Sequence, residues 1–263
     1  MRLEDRVAIV TGGGRGIGEA VALGLAGEGA DVVVTARTQS ELDAVAERIR
    51  ALGRLALALT CDVSVEEEVE QVVQRALAEL GRVDVLVNNA GIGSLRPLRA
   101  VARASWDHVL AVNLTGTFLF TKHVWKAMAA GGGGAIVNVS SLAGRRGLPL
   151  QAAYCASKWG QIGLTLSAAE EGKPVGIRVN AVAPGPGRTA IRARIREDKA
   201  RLLAPEDCVG ACVFLVSDEA RFITGQVIEV EWFEHGCAPS GSSSSRQLVL
   251  EEPGADALAS ERG

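Results

Sequence analysis

No run in this 263-residue chain approaches the about 18 uninterrupted apolar residues of a membrane-spanning helix. The N-terminus offers no secretory segment either, because Arg2, Glu4, Asp5 and Arg6 precede an apolar run of only strand length. A cytoplasmic protein is therefore expected. Net charge is −3, so there is no basic field to draw nucleic acid or an anionic membrane. The five cysteines (Cys61, Cys155, Cys208, Cys212, Cys237) are scattered and odd in number, and they show no disulfide framework or zinc spacing. Cys208 and Cys212 share a helix face, but small buried packing residues fit that spacing better than a metal pair. Aromatic residues make up only 4%. Trp125 and Trp159 fall on predicted helices as core or subunit packing, and His108 and His123 lack a ligand partner. No internal repeat is present.

What the chain does have is 48% hydrophobic residues, enough for a sheet covered on both faces. Its patterns alternate between strand and helix. Strands are predicted at 7–11, 31–36, 55–60, 83–88, 135–140, 176–182 and 226–231, and helices at 16–28, 39–52, 65–80, 104–130, 152–171 and 205–217. This order predicts an α/β fold, a Rossmann-type doubly wound parallel sheet of seven strands in a single domain over residues 1–235. Gly131 to Gly134 end the long fourth helix. From Gly236 to Arg246 the composition turns to Gly, Ser and Pro with four consecutive serines, and an acidic stretch follows. Residues 236–263 are expected to form a flexible tail.

Two motifs carry chemistry. In the first, the β-branched run Val7-Ala8-Ile9-Val10 leads into Thr11-Gly12-Gly13-Gly14-Arg15-Gly16-Ile17-Gly18 and then a helical pattern. Gly12 permits the tight turn, Gly16 close approach of a pyrophosphate, and Gly18 close packing of helix on strand. With Gly14, Arg15 and Ile17 they form a nucleotide loop whose helix N-terminus presents free N–H groups to phosphate. In the second, Tyr154 and Lys158 lie one helical turn apart in Tyr154-Cys155-Ala156-Ser157-Lys158. The ammonium favours phenolate, lowering the tyrosine pKa from about 10 and making Tyr154 an acid or base for a carbonyl/alcohol pair.

These motifs, together with Val87-Asn88-Asn89-Ala90-Gly91, Asn113 in Val112-Asn113-Leu114-Thr115-Gly116, Ile136-Val137-Asn138-Val139-Ser140-Ser141 and Ile177 to Gly185, resemble the short-chain dehydrogenase/reductase family in order and spacing. The pattern is most similar to the 3-oxoacyl-carrier-protein reductase branch. The resemblance spans residues 5 to about 230. It implies an oxidoreductase interconverting a ketone and a secondary alcohol. Ser141, thirteen residues before Tyr154, would orient the substrate carbonyl, while Ser140 projects to the other side. Tyr154 would donate the proton, and Lys158 would hold the nicotinamide ribose. Asn113 would bind a relay water, unless it is a polar helix residue facing solvent. Asn88, Ala90, Gly91, Pro184 and Gly185 fall at strand carboxyl ends, where a cofactor sits in such sheets. Asp62 and Val63 resemble the adenine contact, although Asp62 could instead cap the next helix near Ser64.

The second strand ends Val34-Thr35-Ala36-Arg37 without an acid for a ribose 2′-hydroxyl. Arg37 and Arg15, unless they are solvated surface arginines, can meet a 2′-phosphate, so NADP(H) is the expected cofactor. By resemblance, the partners are a small carbonyl or alcohol substrate and further copies of the chain, as a homodimer or homotetramer through the apolar faces of 109–128 and 152–168. The chain departs from the resemblance in two places. The segment after Gly185 is short and carries Arg188, Arg192, Arg194 and Arg196, a solvated helix face or a site for an acidic substrate. The last strand reads Glu229-Val230-Glu231-Trp232 instead of closing on a glycine turn. A catalytically silent nucleotide-binding regulator or scaffold is the alternative reading.

Overall fold

A computed structural model describes residues 1–186 and 202–232. Seven strands form one parallel sheet in the order β3-β2-β1-β4-β5-β6-β7. They are β1 Val7–Thr11, β2 Asp31–Ala36, β3 Ala56–Thr60, β4 Val85–Asn88, β5 Gly134–Val139, β6 Ile177–Pro184 and β7 Val227–Val230. The helices between them are α1 Gly16–Gly27, α2 Gln39–Ala51, α3 Glu66–Leu80, α4 Arg103–Leu110, α5 Gly116–Ala130, α6 Ala152–Gly172 and α7 Val209–Val216.

The period-two alternation of the strands sorts the core onto two faces. Ala8, Val10, Val32, Val34, Val85 and Val87 point to one side, beneath Val21 and Leu25 of α1, Ile49 of α2 and Leu215 of α7. Ile9, Val33, Leu86, Ile136 and Val179 point to the other, beneath Val72 of α3, Phe120 and Met128 of α5, and Ala168 and Ala169 of α6. Since both faces are covered, the strands read as nearly continuous apolar runs. After β3 the chain returns to the other side of β1, so β1 and β4 are neighbours paired in parallel at Ala8–Val85 and Val10–Val87. The carboxyl ends of these two strands form the topological switch point.

Sequence-predicted elements and observed ones agree to within a residue or two, with two physical exceptions. The helix predicted over 104–130 is interrupted by a π-helical turn at Ala111–Thr115, and the predicted 205–217 helix begins with a 3₁₀ turn at Pro205–Cys208. Trp159 is not a core residue, being 52% exposed, whereas Trp125 packs partly buried against the second core. Cys61, Cys208 and Cys212 are buried and unbridged. Burial pushes the Cys61 thiol up to about 12 and Cys208 to about 11, and raises Cys212 as well. They therefore pack as neutral thiols. Among the described residues no His/Cys/Asp/Glu cluster could hold a metal, and no helix is long and apolar enough to cross a membrane. The tail at 236–263, with Cys237, lies outside the described residues.

The amino end of the sheet is fixed by a carboxylate that the sequence did not single out. Asp84, 5% exposed, accepts from the Val7 N–H at 2.9 Å and holds Arg82 through two hydrogen bonds of 2.8 and 2.6 Å. Removing it strands a buried β1 donor and two bonds to a cation. Asp84→Ala is expected to lower the unfolding free energy by about 2–3 kcal/mol, and Asp84→Asn, which keeps an acceptor for Val7, by less. Urea unfolding of the two variants measures the difference, and equal losses would assign the effect to the arginines paired with Asp84, Arg82 and Arg6, and not to Val7.

Candidate active site

The glycine loop after β1 depends on two left-handed backbone conformations and one close approach. Gly12 and Gly16 adopt φ of +63° and +59°, conformations that a side chain disfavours. A Cβ on Gly18 would lie 2.1 Å from the Gly12 carbonyl oxygen, so only glycine lets α1 seat on the turn. Beside Gly16 the situation is reversed: a Cβ there would meet nothing within 4 Å. The α1 N-terminus at Arg15 has no side-chain cap. Open space beside a glycine backbone and an uncapped helix start fit the pyrophosphate of a dinucleotide, whose negative charge the helix end would stabilise.

Thr11 and Asn89 lock this loop to the end of β4. The Thr11 Oγ1 accepts from the N–H groups of Asn89 and Ala90, each at 3.0 Å. The Asn89 amide donates to the carbonyls of Thr11 at 3.0 Å and Gly12 at 3.2 Å. The neighbouring Asn88 faces the interior, donating to Asn138 Oδ1 at 2.9 Å and Thr121 Oγ1 at 3.3 Å, so its side chain is turned away from the cradle. Asn89 is the amide that holds the loop, and its place beside Asn88 in the same motif was the available signal.

At the end of β2, Arg37 is exposed. Arg15 is also exposed and stands 3.5 Å from Glu41, a carboxylate on the first turn of α2. Glu41 was not anticipated, and its Cβ lies 3.0 Å from where a Gly14 Cβ would be. Asp62 makes a local turn, accepting from the Ser64 N–H at 3.0 Å and hydroxyl at 2.6 Å. Those two bonds, with a smaller contribution from Arg37, hold its carboxyl below the ordinary range. Asp62 therefore caps the turn and leaves the start of α3 at Val65 without a side-chain cap. Val63 is buried against Gly116, where a Cβ would fall 2.7 Å from its Cγ2.

The predicted acid–base group converges beyond β4 and β5. Asn113 sits in the π turn, fully buried and not facing solvent. Its Oδ1 accepts from Ile92 N–H at 2.8 Å, and its Nδ2 donates to the Ile92 carbonyl and to Ser157 Oγ, both at 3.0 Å. Ser157 in turn donates to the Tyr154 carbonyl at 2.7 Å. Lys158 is 3% exposed. Its Nζ donates to the Val139 carbonyl and to Gln161 Oε1, both at 2.8 Å, and stands 5.7 Å from the Tyr154 ring centroid. Burial brings the lysine pKa down to about 7. Ser140 and Ser141 diverge as predicted: Ser140 donates to the Lys158 carbonyl at 3.0 Å, while the partly exposed Ser141 accepts from Ala143 N–H at 3.1 Å. Gly91 lies beside Asn113 and Lys158. Pro184 ends β6, and Gly185 N–H donates to the Val230 carbonyl at 2.7 Å.

Two further pairs escaped sequence reasoning. Arg145 meets Glu229 at 3.0 Å and Arg146 meets Glu231 at 3.2 Å, joining the loop after Ser141 to β7 and its continuation. The departure of the last strand from the expected pattern thus supplies the acids for these pairs. The predicted segment with Arg188, Arg192, Arg194 and Arg196 lies outside the described residues, and so does any closure over substrate.

Lysine burial has a consequence for stability. Below about pH 7 the folded protein carries the full cost of an enclosed ammonium; above it the folded state sheds the proton while the unfolded state keeps it up to about 10.5. Stability therefore rises with pH across that window. The stability of Lys158→Met relative to the native chain is expected to fall by about 2–3 kcal/mol between pH 6 and pH 9. Paired urea titrations at the two pH values measure it, and a constant difference would contradict a depressed lysine.

With this geometry in view, comparison with known proteins gives a consistent result. The sequence profile of the short chain dehydrogenase family matches residues 6–200. A cis-4-hydroxycyclohexanecarboxylate dehydrogenase of Sinomonas cyclohexanicum is 42% identical, over 86% of this chain and 95% of its own length. A 3-oxoacyl-[acyl-carrier-protein] reductase of Synechocystis is 42% identical over 87% and 96%. The crystal structure of a short-chain type dehydrogenase/reductase from Mycobacterium marinum superimposes with a TM-score of 0.82 at 32% identity, over 87% of this chain and 95% of that one. A seven-stranded doubly wound sheet, a glycine loop at its switch point and a Tyr-Lys turn with a buried lysine are thus accompanied by extensive sequence identity, and the chain belongs to the short-chain dehydrogenase/reductase family of oxidoreductases.

Proposed function

We propose that this oxidoreductase uses NADP(H) to interconvert a ketone and a secondary alcohol, with Tyr154 as the acid and base. The observation that carries the reading is the Lys158 amine, enclosed without a carboxylate partner among the described residues and one helical turn from the phenol. A nicotinamide cofactor, when bound, supplies the hydride. The chain's own residues do the rest. Ser141, partly exposed beside the tyrosine turn, donates to the substrate oxygen and orients it. Tyr154 delivers its proton to that oxygen as negative charge develops, and takes it back in the reverse direction. A positive charge at Lys158 stabilises the phenolate left behind. Asn113 fixes the helix that carries both groups, through Ser157 and Ile92. Gly12, Gly14, Gly16, Ile17 and Gly18 cradle the pyrophosphate, with the Asn88 main chain, Ala90, Gly91, Pro184 and Gly185 along the same edge and Asp62 and Val63 toward the adenine.

Arg37 and Arg15 support a 2′-phosphate, since both are exposed beside the loop and β2 ends without an acid. Glu41 engages Arg15 only loosely, at 3.5 Å, so that guanidinium can turn to a phosphate. The Sinomonas and Synechocystis relatives are named for a cyclic alcohol and an acyl-thioester ketone. Both classes belong in the substrate panel. Phe118 on α5 and Trp159 and Leu166 on α6 are exposed, and they support self-association through these helices as a dimer or tetramer. A cytoplasmic setting accords with the absence of cysteine bridges among the described residues.

Tyr154→Phe is expected to lower turnover of NADPH with acetoacetyl thioesters or cyclic ketones by about 10²–10⁴-fold while NADPH affinity stays within about threefold. Retained turnover would remove Tyr154 from the chemistry, and NADPH binding without turnover on any substrate in the native chain would favour the silent regulator. Arg37→Ala is expected to weaken NADPH binding by about tenfold or more and leave NADH unchanged, as measured by fluorescence titration. An equal effect on both would place Arg37 away from the 2′-phosphate.

A further inference from the structure

Gln161 is completely buried, an uncommon location for a glutamine, and none of the roles above uses it. Its two polar ends are both satisfied. Oε1 accepts from Lys158 Nζ at 2.8 Å, and Nε2 donates to Thr117 Oγ1 at 2.7 Å. Thr117, also buried, donates onward to the Asn113 main-chain carbonyl at 2.8 Å. Every donor in this chain of bonds points the same way, from the lysine through the amide and hydroxyl to the π turn. A second route runs in parallel, from Asn113 Nδ2 through Ser157 to the Tyr154 carbonyl. The Tyr-Lys turn is therefore tied to Asn113 at both ends.

We propose that Gln161 is a positioning residue for the reaction, a neutral bridge that fixes the Lys158 amine to the π turn at Asn113 through Thr117. The proposal rests on the acid–base reading of Tyr154 and Lys158 and adds the part that aims the amine. Of the three N–H groups on an ammonium, one is held by Val139 and one by Gln161, which leaves the third for the tyrosine side. Tyr154 is the one titratable side chain that faces the amine among the described residues. The other groups placed against it are the Val139 carbonyl of β5, the Gln161 amide oxygen and the Gly91 backbone. An amide supplies an acceptor without a charge, so it orients the amine and leaves its proton exchangeable. A carboxylate at that position would pair with the ammonium and trap it. An apolar side chain would leave one N–H of a buried cation unanswered.

The decisive experiment reads the two groups directly in the cofactor-free protein. Tyr154 is the only tyrosine of the chain, so ultraviolet tyrosinate absorbance reports it alone. Carbon-13 labelling of the few lysines, with Lys158→Met to identify the signal, reports the amine. In Gln161→Glu both titrations are expected to move to higher pH, the lysine by about one unit or more. In Gln161→Leu the lysine is expected to titrate at lower pH than in the native chain. Thr117→Val is expected to shift it in the same direction by less, and to add nothing in the Gln161→Leu background, because the bridge is already cut. Turnover in Gln161→Leu is expected to fall about tenfold with NADPH and substrate KM within about threefold.

A Gln161 that merely fills space would lower melting temperature in these variants and leave both titrations where they are; that result overturns the bridge. Additive shifts in the double variant would show that Thr117 acts separately and would overturn the relay to Asn113. Neither outcome touches Tyr154. Retained turnover in Tyr154→Phe would defeat the acid–base reading independently of what Gln161 does.

Discussion

The placement of one amine in the interior organises this site. An ammonium removed from water is costly unless oxygen atoms replace the lost hydration, and the cost rises with each N–H left unanswered. Lys158 meets that demand with the last carbonyl of β5 and the side-chain oxygen of Gln161. The arrangement requires the end of β5, the middle of α6 and the start of α5 to meet at one point. It also requires thin walls. A Cβ on Gly144 would sit 2.7 Å from the Lys158 carbonyl, and one on Gly91 would sit 3.7 Å from its amine. The π turn belongs to the same requirement. It widens the helix between α4 and α5, and there Asn113 side-chain atoms reach Ile92 and Ser157 while its carbonyl receives Thr117. Wide turns of this kind are concentrated at functional positions because they aim groups that a regular helix cannot.

The nucleotide loop and the amine are mechanically continuous through the end of β4. Asn89 and Ala90 grip Thr11 and Gly12 at one side of the switch point. Only two or three residues further on, Gly91 and Ile92 contact Asn113. A shift of the glycine loop is thus passed along a few covalent bonds to Asn113, which is bonded through Ser157 to the helix that carries Tyr154 and Lys158. This is why the motif sits on the innermost strands, where pairing on both sides and packing on both faces leave it least freedom. Asn88 adds a buried amide bridge from β4 to β5 through Asn138, which goes on to Thr165 of α6. Polar networks inside a core are costly when incomplete, and this one leaves the buried Asn88 Oδ1 without a hydrogen-bond partner.

The sheet, its order of elements, the glycine loop and the Tyr154–Lys158 turn could be derived from sequence because each depends on local periodicity or on spacing within one element, whereas Ser141 came from the family resemblance. Residues whose role depends on a partner far along the chain could not be derived in this way. Gln161 looks like one more helix residue until α5 is laid against α6. Asp84 looks like a loop acid until Val7 lies beside it. Asn88 and Asn89 are indistinguishable until the strand's pleat sends one inward and the other to the loop. Asn113 was singled out, yet the π turn was not, since its hydrophobic spacing differs from an α-helix by a single residue. Trp159 was open between core and subunit packing, and only its 52% exposure decides that it is outside the core.

The same contrast explains why the chemistry of this chain is more legible than its substrate. Asn113 and Lys158 are fixed by buried hydrogen bonds, which tolerate few residue types and therefore leave a pattern. The loop after Ser141 is fixed differently. The loop from Leu142 to Gln151 is held to β7 and Glu231 by Arg145–Glu229 and Arg146–Glu231, pairs in which every partner is about half exposed. Such pairs contribute little individually and can be exchanged at little cost. Leu150 in the same loop adopts φ of +65°, its carbonyl taking the Arg96 N–H at 2.9 Å, just before Tyr154 begins its turn. A leucine in that conformation is strained by about 1–2 kcal/mol and persists because its neighbours hold it. The exposed pairs of this loop can therefore be exchanged without disturbing the buried amine a few residues away.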